Sequence, residues 1–279
     1  MSPEKGARVA IRALFFCLLA ACGSAQGNRT ELHAGPAMLN FGYKEFDETG
    51  AQLNSEDGDL PGLVVDLAHH VRAWRFGVQA RLFSGTADHD GRTNRGRPIK
   101  TDTDERLQSI SLSLAWKSQM GAWPIAPYIG LGYHRWDRDI RPTRTSTGAT
   151  VSGLFEAYSW KTAELGLLAT MVSSQRFGAA VDARVFRVLD PKLKVRFESG
   201  FDDATLRLGE EAGARLGIVG VYTVGDSLGV KLELYHERWA FGRSTAQPLT
   251  SDGATVGSVF EPYSETRNNG VTLGLVLSF

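Results

Sequence analysis

Few side chains in this sequence could move protons at neutral pH. Asp88-His89-Asp90 sets a histidine between two carboxylates, a grouping that a hydrolase needs to activate water. His134 stands in an alternating stretch among charged residues, and His236 is followed directly by Glu237. Each group also has a plainer reading. Residues 88–90 could be solvated loop charge, and an inward His134 could belong to a buried charge network. No GxSxG, HExxH or phosphate-binding glycine loop accompanies them. Glu56-Asp57-Gly58-Asp59 is too short for a calcium loop. The two cysteines, Cys17 and Cys22, lie near the start of the chain, so no Cys/His metal spacing exists and no cofactor is expected. Asp88, His89, Asp90 and His134 are therefore weak catalytic candidates, and a non-enzymatic role is the main reading.

The elements that hold these residues are strands. Past residue 30 the apolar residues recur with period two rather than 3.6. Val271, Leu273, Leu275, Leu277 and Phe279 alternate with Thr272, Gly274, Val276 and Ser278, and Val230, Leu232 and Leu234 alternate with Lys231, Glu233 and Tyr235. Ten strands are predicted over 31–46, 60–72, 74–87, 102–117, 123–139, 153–169, 175–188, 207–224, 228–241 and 260–279. Many exceed the usual soluble strand of about five or six residues and suit a tilted membrane strand of roughly ten. Long connections at about 47–59, 88–101, 140–152, 189–206 and 242–259 alternate with short ones near 73, 118–122, 170–174 and 225–227. That layout predicts an all-β, up-and-down antiparallel transmembrane barrel of about ten strands with both termini at the short-turn, periplasmic end. Trp74, Trp116, Trp123 and Tyr222 are expected at the periplasmic interface. Tyr43, Phe83, Trp136, Tyr235, Trp239 and Tyr263 are expected at the outer one.

The chain start reads as a signal peptide over residues 1–25, ahead of a barrel domain at 30–279. Lys5, Arg8 and Arg12 precede an apolar stretch, Ala13 to Ala21, about half the length of a membrane-spanning helix. Two processing sites compete. Gly23-Ser24-Ala25 offers cleavage before Gln26, and Leu19-Ala20-Ala21-Cys22 matches a lipobox that would make Cys22 an acylated first residue.

The C-terminal run Val271, Leu273, Leu275, Leu277 and Phe279 resembles the bacterial outer-membrane β-barrel class, whose members commonly end in an aromatic residue after alternate apolar ones. The resemblance implies a Gram-negative outer-membrane location and an assembly signal at Leu275, Leu277 and Phe279, read by the barrel assembly machinery. The strand number is similar to that of the omptin proteases, but no omptin motif is present, so that likeness is architectural.

Composition narrows the function. The 279 residues carry 31 Lys+Arg and 31 Asp+Glu, so no net field attracts nucleic acid. An apolar share of 42% excludes a disordered chain. Alternation places Asn40, Lys44, Asp66, Arg75, Gln79, Arg81, Tyr128, His134, Glu164, Asp182, Arg184, Arg215, Lys231, Glu233 and Glu237 inside the barrel. Mixed charges in so narrow a space must pair. An interior network built on Lys44, Asp66, Arg81, His134, Glu164, Asp182, Arg184, Arg215, Lys231, Glu233 and Glu237 is the expected result, leaving a plugged barrel with a structural or surface-binding role. The alternatives are a narrow channel for small polar solutes and a protease- or lipase-like hydrolase at the rim. Wide porins need about 16 strands. The first loop is acidic (Asp47, Glu48, Glu56, Asp57, Asp59) and the next two carry Arg92, Arg95, Arg97, Lys100, Arg141 and Arg144. Outer-membrane lipid and lipopolysaccharide phosphates are the expected partners of a monomer.

Overall fold

In the computed structural model the described residues are 28–279, apart from residues 94, 95, 146 and 199. The signal segment, both cysteines and Arg95 lie outside them. Ten long strands follow one another: β1 (Asn28–Phe46), β2 (Gln52–Val71), β3 (Trp74–Arg92), β4 (Pro98–Trp116), β5 (Trp123–Ile140), β6 (Leu154–Ser173), β7 (Phe177–Phe197), β8 (Ala212–Thr223), β9 (Leu228–Gly242) and β10 (Tyr263–Ser278). Each pairs antiparallel with the next, and β1 pairs with β10. Closure leaves no free edge for backbone groups that lipid cannot satisfy. The last residue takes part in it: Thr30 N–H donates to the Phe279 carbonyl at 2.8 Å and Phe279 N–H donates back at 2.9 Å.

One end has tight turns. The β2–β3 connection is Arg72-Ala73, with Arg72 at φ 55°, as a two-residue hairpin demands. The other end carries the long connections, including small hairpins at Thr143–Arg144 with Thr150–Val151 and Gln247–Ser251 with Ala254–Val259. The ten-stranded barrel and the strand order agree with the sequence expectation, and of the connections expected to be long, 141–153, 198–211 and 243–262 are long, whereas 47–51 and 93–97 are no longer than the turn-end connection 117–122. Two predicted loops are shorter than expected. β2 begins at Gln52 and β3 runs to Arg92, so Glu56, Asp57, Asp59 and residues 88–90 are strand residues.

A lipid-facing band sits toward the turn end. Ile129, Leu131, Leu165, Val185, Leu216, Ile218, Leu273 and Leu275 are all exposed on the outer face. The outward run from Val271 to Phe279 covers about 26 Å of strand at ~3.3 Å per residue. A ~40° tilt makes that about 20 Å of height, close to the apolar band of a membrane barrel. Trp74, Trp116, Trp123 and Tyr222 are exposed at its turn-end margin, where amphipathic rings suit an interface. The expected outer aromatic belt is corrected. Tyr43, Phe83, Trp136, Tyr235 and Trp239 are buried inside the barrel. The strands protrude beyond the band into water, and there the apolar side chains turn inward.

Candidate functional site

Position parity along each strand decides which side chains enter the lumen, and those side chains form two layers. The layer within the apolar band is ionic. Asp66 on β2 accepts a 2.9 Å bond from Lys231 on β9, lies 2.6 Å from His33 Nδ1, and accepts a bond from Gln79. Arg215 on β8 donates to Glu233 and, at 3.4 Å, to Glu237, and its guanidinium lies 3.5 Å from the Tyr235 ring centroid. Arg81 completes this group at 3.6 Å from Glu233. Arg184 donates to Glu164 at 2.8 Å, and Tyr128 O–H donates to Asp182 at 2.7 Å. His134 lies 3.2 Å from the Thr162 hydroxyl and stacks on Trp160. Four bases thus face five acids. A cavity in this layer measures about 60 Å³ and is bordered by Arg81, His134, Glu164, Arg184 and Glu237.

Above it lies an aromatic floor of Phe41, Trp136, Tyr158, Trp160, Trp239 and Phe241, packed edge-on, stacked or tilted at centroid distances of 4.7 to 6.0 Å. On that floor rests the second layer, built around one cation. Arg138 on β5 is fully buried. It donates to Glu156 at 2.6 Å and, through Nε, to Glu56 at 3.2 Å, and lies 3.7 Å from Glu105 and 3.8 Å from Glu45. Its guanidinium sits 4.3 Å from the Tyr43 ring centroid. His89 Nδ1 lies 2.7 Å from Glu56, and Thr103 O–H donates to the same carboxylate at 2.7 Å. Tyr158 O–H donates at 2.8 Å to Glu261, in the connection before β10. Burial, then the nearby Glu156 and Glu45 charges, push the Glu261 carboxyl well above its ordinary range. Here one base faces five acids.

Of the residues expected in the interior network, Asp66, Arg81, His134, Glu164, Asp182, Arg184, Arg215, Lys231, Glu233 and Glu237 point into the barrel. Lys44 does not. It is exposed on the outer face, as is Asn40, while Tyr43 and Glu45 take the inward positions. The reason is the reversal of faces above the band, where water outside makes charge the outward choice. The same parity splits the catalytic candidates: His89 is buried inside, and Asp88 and Asp90 are exposed outside. His236 is also outward, opposite in direction to Glu237. Leu275, Leu277 and Phe279 are exposed at the turn end of β10. Sequence reasoning missed Glu45, Glu105, Arg138, Glu156 and Glu261. A signal was present: adjacent apolar pairs such as Met38-Leu39, Leu82-Phe83, Val185-Phe186 and Leu234-Tyr235 mark where the apolar residue changes faces.

The family model "Outer membrane protein beta-barrel domain" matches residues 13–166. No curated protein sequence matches the chain. Among solved structures, the outer membrane protease OmpT from Escherichia coli superposes with a TM-score of 0.64 at 11% identity, covering 91% of this chain and 97% of that one. The outer membrane protein OprG from Pseudomonas aeruginosa gives 0.39 at 10% identity, covering 91% and 96%. The translocator domain of the autotransporter NalP from Neisseria meningitidis gives 0.42 at 12%, covering 98% and 96%. At these identities the likeness is one of fold.

Proposed function

The chain belongs to the outer membrane protein β-barrel domain family, and on that premise we propose a closed barrel with a structural or surface-binding role. Its loop end faces the exterior and its termini the periplasm. One observation carries this reading: side chains fill the lumen from Asp66 up to Glu56, and the cavity among them, about 60 Å³, has room for a few waters only. An ion would have to displace Arg184, Arg215 and then the aromatic floor. Each is held by partners on other strands, and stripping one partner from a buried pair is costly. The orientation is supported by the long connections, which in membrane barrels lie on the extracellular side.

A rim hydrolase finds less support, because the strand puts the histidine and the aspartates of residues 88–90 on opposite faces. The test is electrical. Purified barrel reconstituted in a planar bilayer is expected to give no steady single-channel steps. Reproducible steps would overturn the plugged reading in favour of a narrow polar channel.

A further inference from the structure

The inner face of the barrel carries a row of bases at its turn end. Arg29 on β1, His70 on β2 and Arg75 on β3 are register partners in turn, and all three occupy inward positions. Lys117, in the β4–β5 connection, joins them, because its N–H donates at 2.6 Å to the Ala73 carbonyl in the β2–β3 turn. Glu31 answers part of this charge, at 3.2 Å from Arg29 and 3.4 Å from His70. Arg75 and Lys117 are left without an ion pair among the described residues. Partial burial holds the Lys117 ammonium below the ordinary lysine value; Glu31 pulls it back up, and the Arg75 and Arg29 charges push it down again.

The remaining acids at this end do not neutralise the pair. Asp66 is held by Lys231, His33 and Gln79, and Asp226 is exposed in the β8–β9 turn. On the far wall Gly178 on β7 and Val221 on β8 are inward register partners and bring no charge. The donors also converge. Arg75 Nη1 and Ser113 Oγ on β4 both come within 3.2 Å of the place where a Gly77 Cβ would stand, so only glycine lets them meet there. Both ring nitrogens of His70 are shielded and make no hydrogen bond.

Two unpaired cations, one of them a forked guanidinium, match one dianionic oxyanion, whereas a single carboxylate would neutralise half of that charge. Arg29 and Lys117 are exposed, so water reaches the mouth from the turn end. The ionic layer closes the lumen above it, so an occupant binds there and does not pass. We propose that this mouth of the lumen is a binding site for a phosphate group. Arg75 holds the phosphate through two N–H bonds beside the Ser113 hydroxyl, Lys117 adds a point charge from the turn, and Arg29 and His70 stay on Glu31. Arrival of the phosphate from the periplasm rests on the orientation proposed above.

Isothermal titration calorimetry on the folded barrel in neutral detergent tests the site at constant ionic strength, with inorganic phosphate, glycerol phosphate and acetate as probes. Wild type is expected to bind inorganic phosphate saturably and acetate at least tenfold more weakly. Arg75→Gln with Lys117→Gln is expected to weaken phosphate binding about tenfold or more, through loss of charge-assisted contacts. Arg75→Lys, which keeps the charge without the fork, is expected to lose less. Arg176→Gln, in the β6–β7 turn at the same end, is expected to leave binding unchanged. Glycerol phosphate binding as well as inorganic phosphate would mark a phosphate monoester as the source, and inorganic phosphate binding alone would mark the free ion. No saturable phosphate heat, equal binding of acetate, or an equal loss in the Arg176 variant overturns the proposal. This assay does not depend on which way the barrel inserts, and protease accessibility of the loops in whole cells reports separately on orientation.

Discussion

Below the row that joins Met38, Val271 and Leu234, this barrel carries apolar residues outside and charges inside. Above it, the same ten strands do the reverse. On β6 the outward Leu165 and Leu167 belong to the lower half, and the inward Tyr158 and Trp160 to the upper. On β5 the outward Ile129 and Leu131 give way to the inward Trp136, with Arg135 and Asp137 outside. Strand geometry is continuous through the change, so the pleat cannot be its cause. The medium outside is. Where lipid surrounds the wall, the lumen is the only polar refuge. Where water does, the lumen can serve as an ordinary core. The two interiors then differ in charge. Four bases meet five acids in the lower one, so nearly every ion finds a partner. Five carboxylates share Arg138 in the upper one.

The largest test of that contrast removes the shared cation. Arg138→Met is expected to cost about 3–5 kcal/mol, since it leaves Glu45, Glu56, Glu105 and Glu156 without a buried counter-charge. Urea unfolding in micelles, followed by tryptophan fluorescence, measures it. A loss under 1 kcal/mol would mean that the carboxyls are already neutral and that Arg138 is dispensable.

A second test probes the outer wall at two heights. Ile129 lies mid-band, between its register partners Leu114 and Leu165. Ile129→Arg should cost about 2–4 kcal/mol for a cation at that depth in lipid. Thr86 is also outward but lies above the band, next to Asp104. Thr86→Arg should stay within about 0.5 kcal/mol. Equal costs at the two positions would erase the boundary drawn here.

The contrast also explains what could be read from the residues alone. Period two located all ten strands, and the C-terminal run on β10 could be assigned to lipid because it is long and purely apolar on one face. Period two is silent about sign, however. In β1 the string Ala37, Leu39, Phe41, Tyr43 looks like a lipid-facing stripe, yet each of these side chains is buried inside. Placing that stripe outward pushed Lys44 inward and hid Glu45. The acidic chamber stayed invisible for a second reason. Its members come one or two per strand from β1 to β6 and from the connection before β10, and only closure of the sheet brings them together.

The smallest effect is the most specific to the upper interior. Glu261 holds its proton above the ordinary carboxylate value of 4.5, because burial and then the Glu156 and Glu45 charges oppose ionisation. Between 4.5 and the raised value the folded chain binds a proton that the unfolded chain has released. The stabilisation is therefore complete below that window and is lost as pH rises through the folded value. Glu261→Gln keeps an acceptor for the Tyr158 hydroxyl and cannot ionise. Its stability should match wild type near pH 4 and exceed it at pH 8. The slope against pH should be flatter by up to about 1.4 kcal/mol per unit across the window, the value for a single proton. Urea midpoints at the two pH values decide the matter. A variant weaker than wild type at pH 8 would show Glu261 ionised and bound to the Arg138 charge, which would make the upper interior a paired network like the lower one.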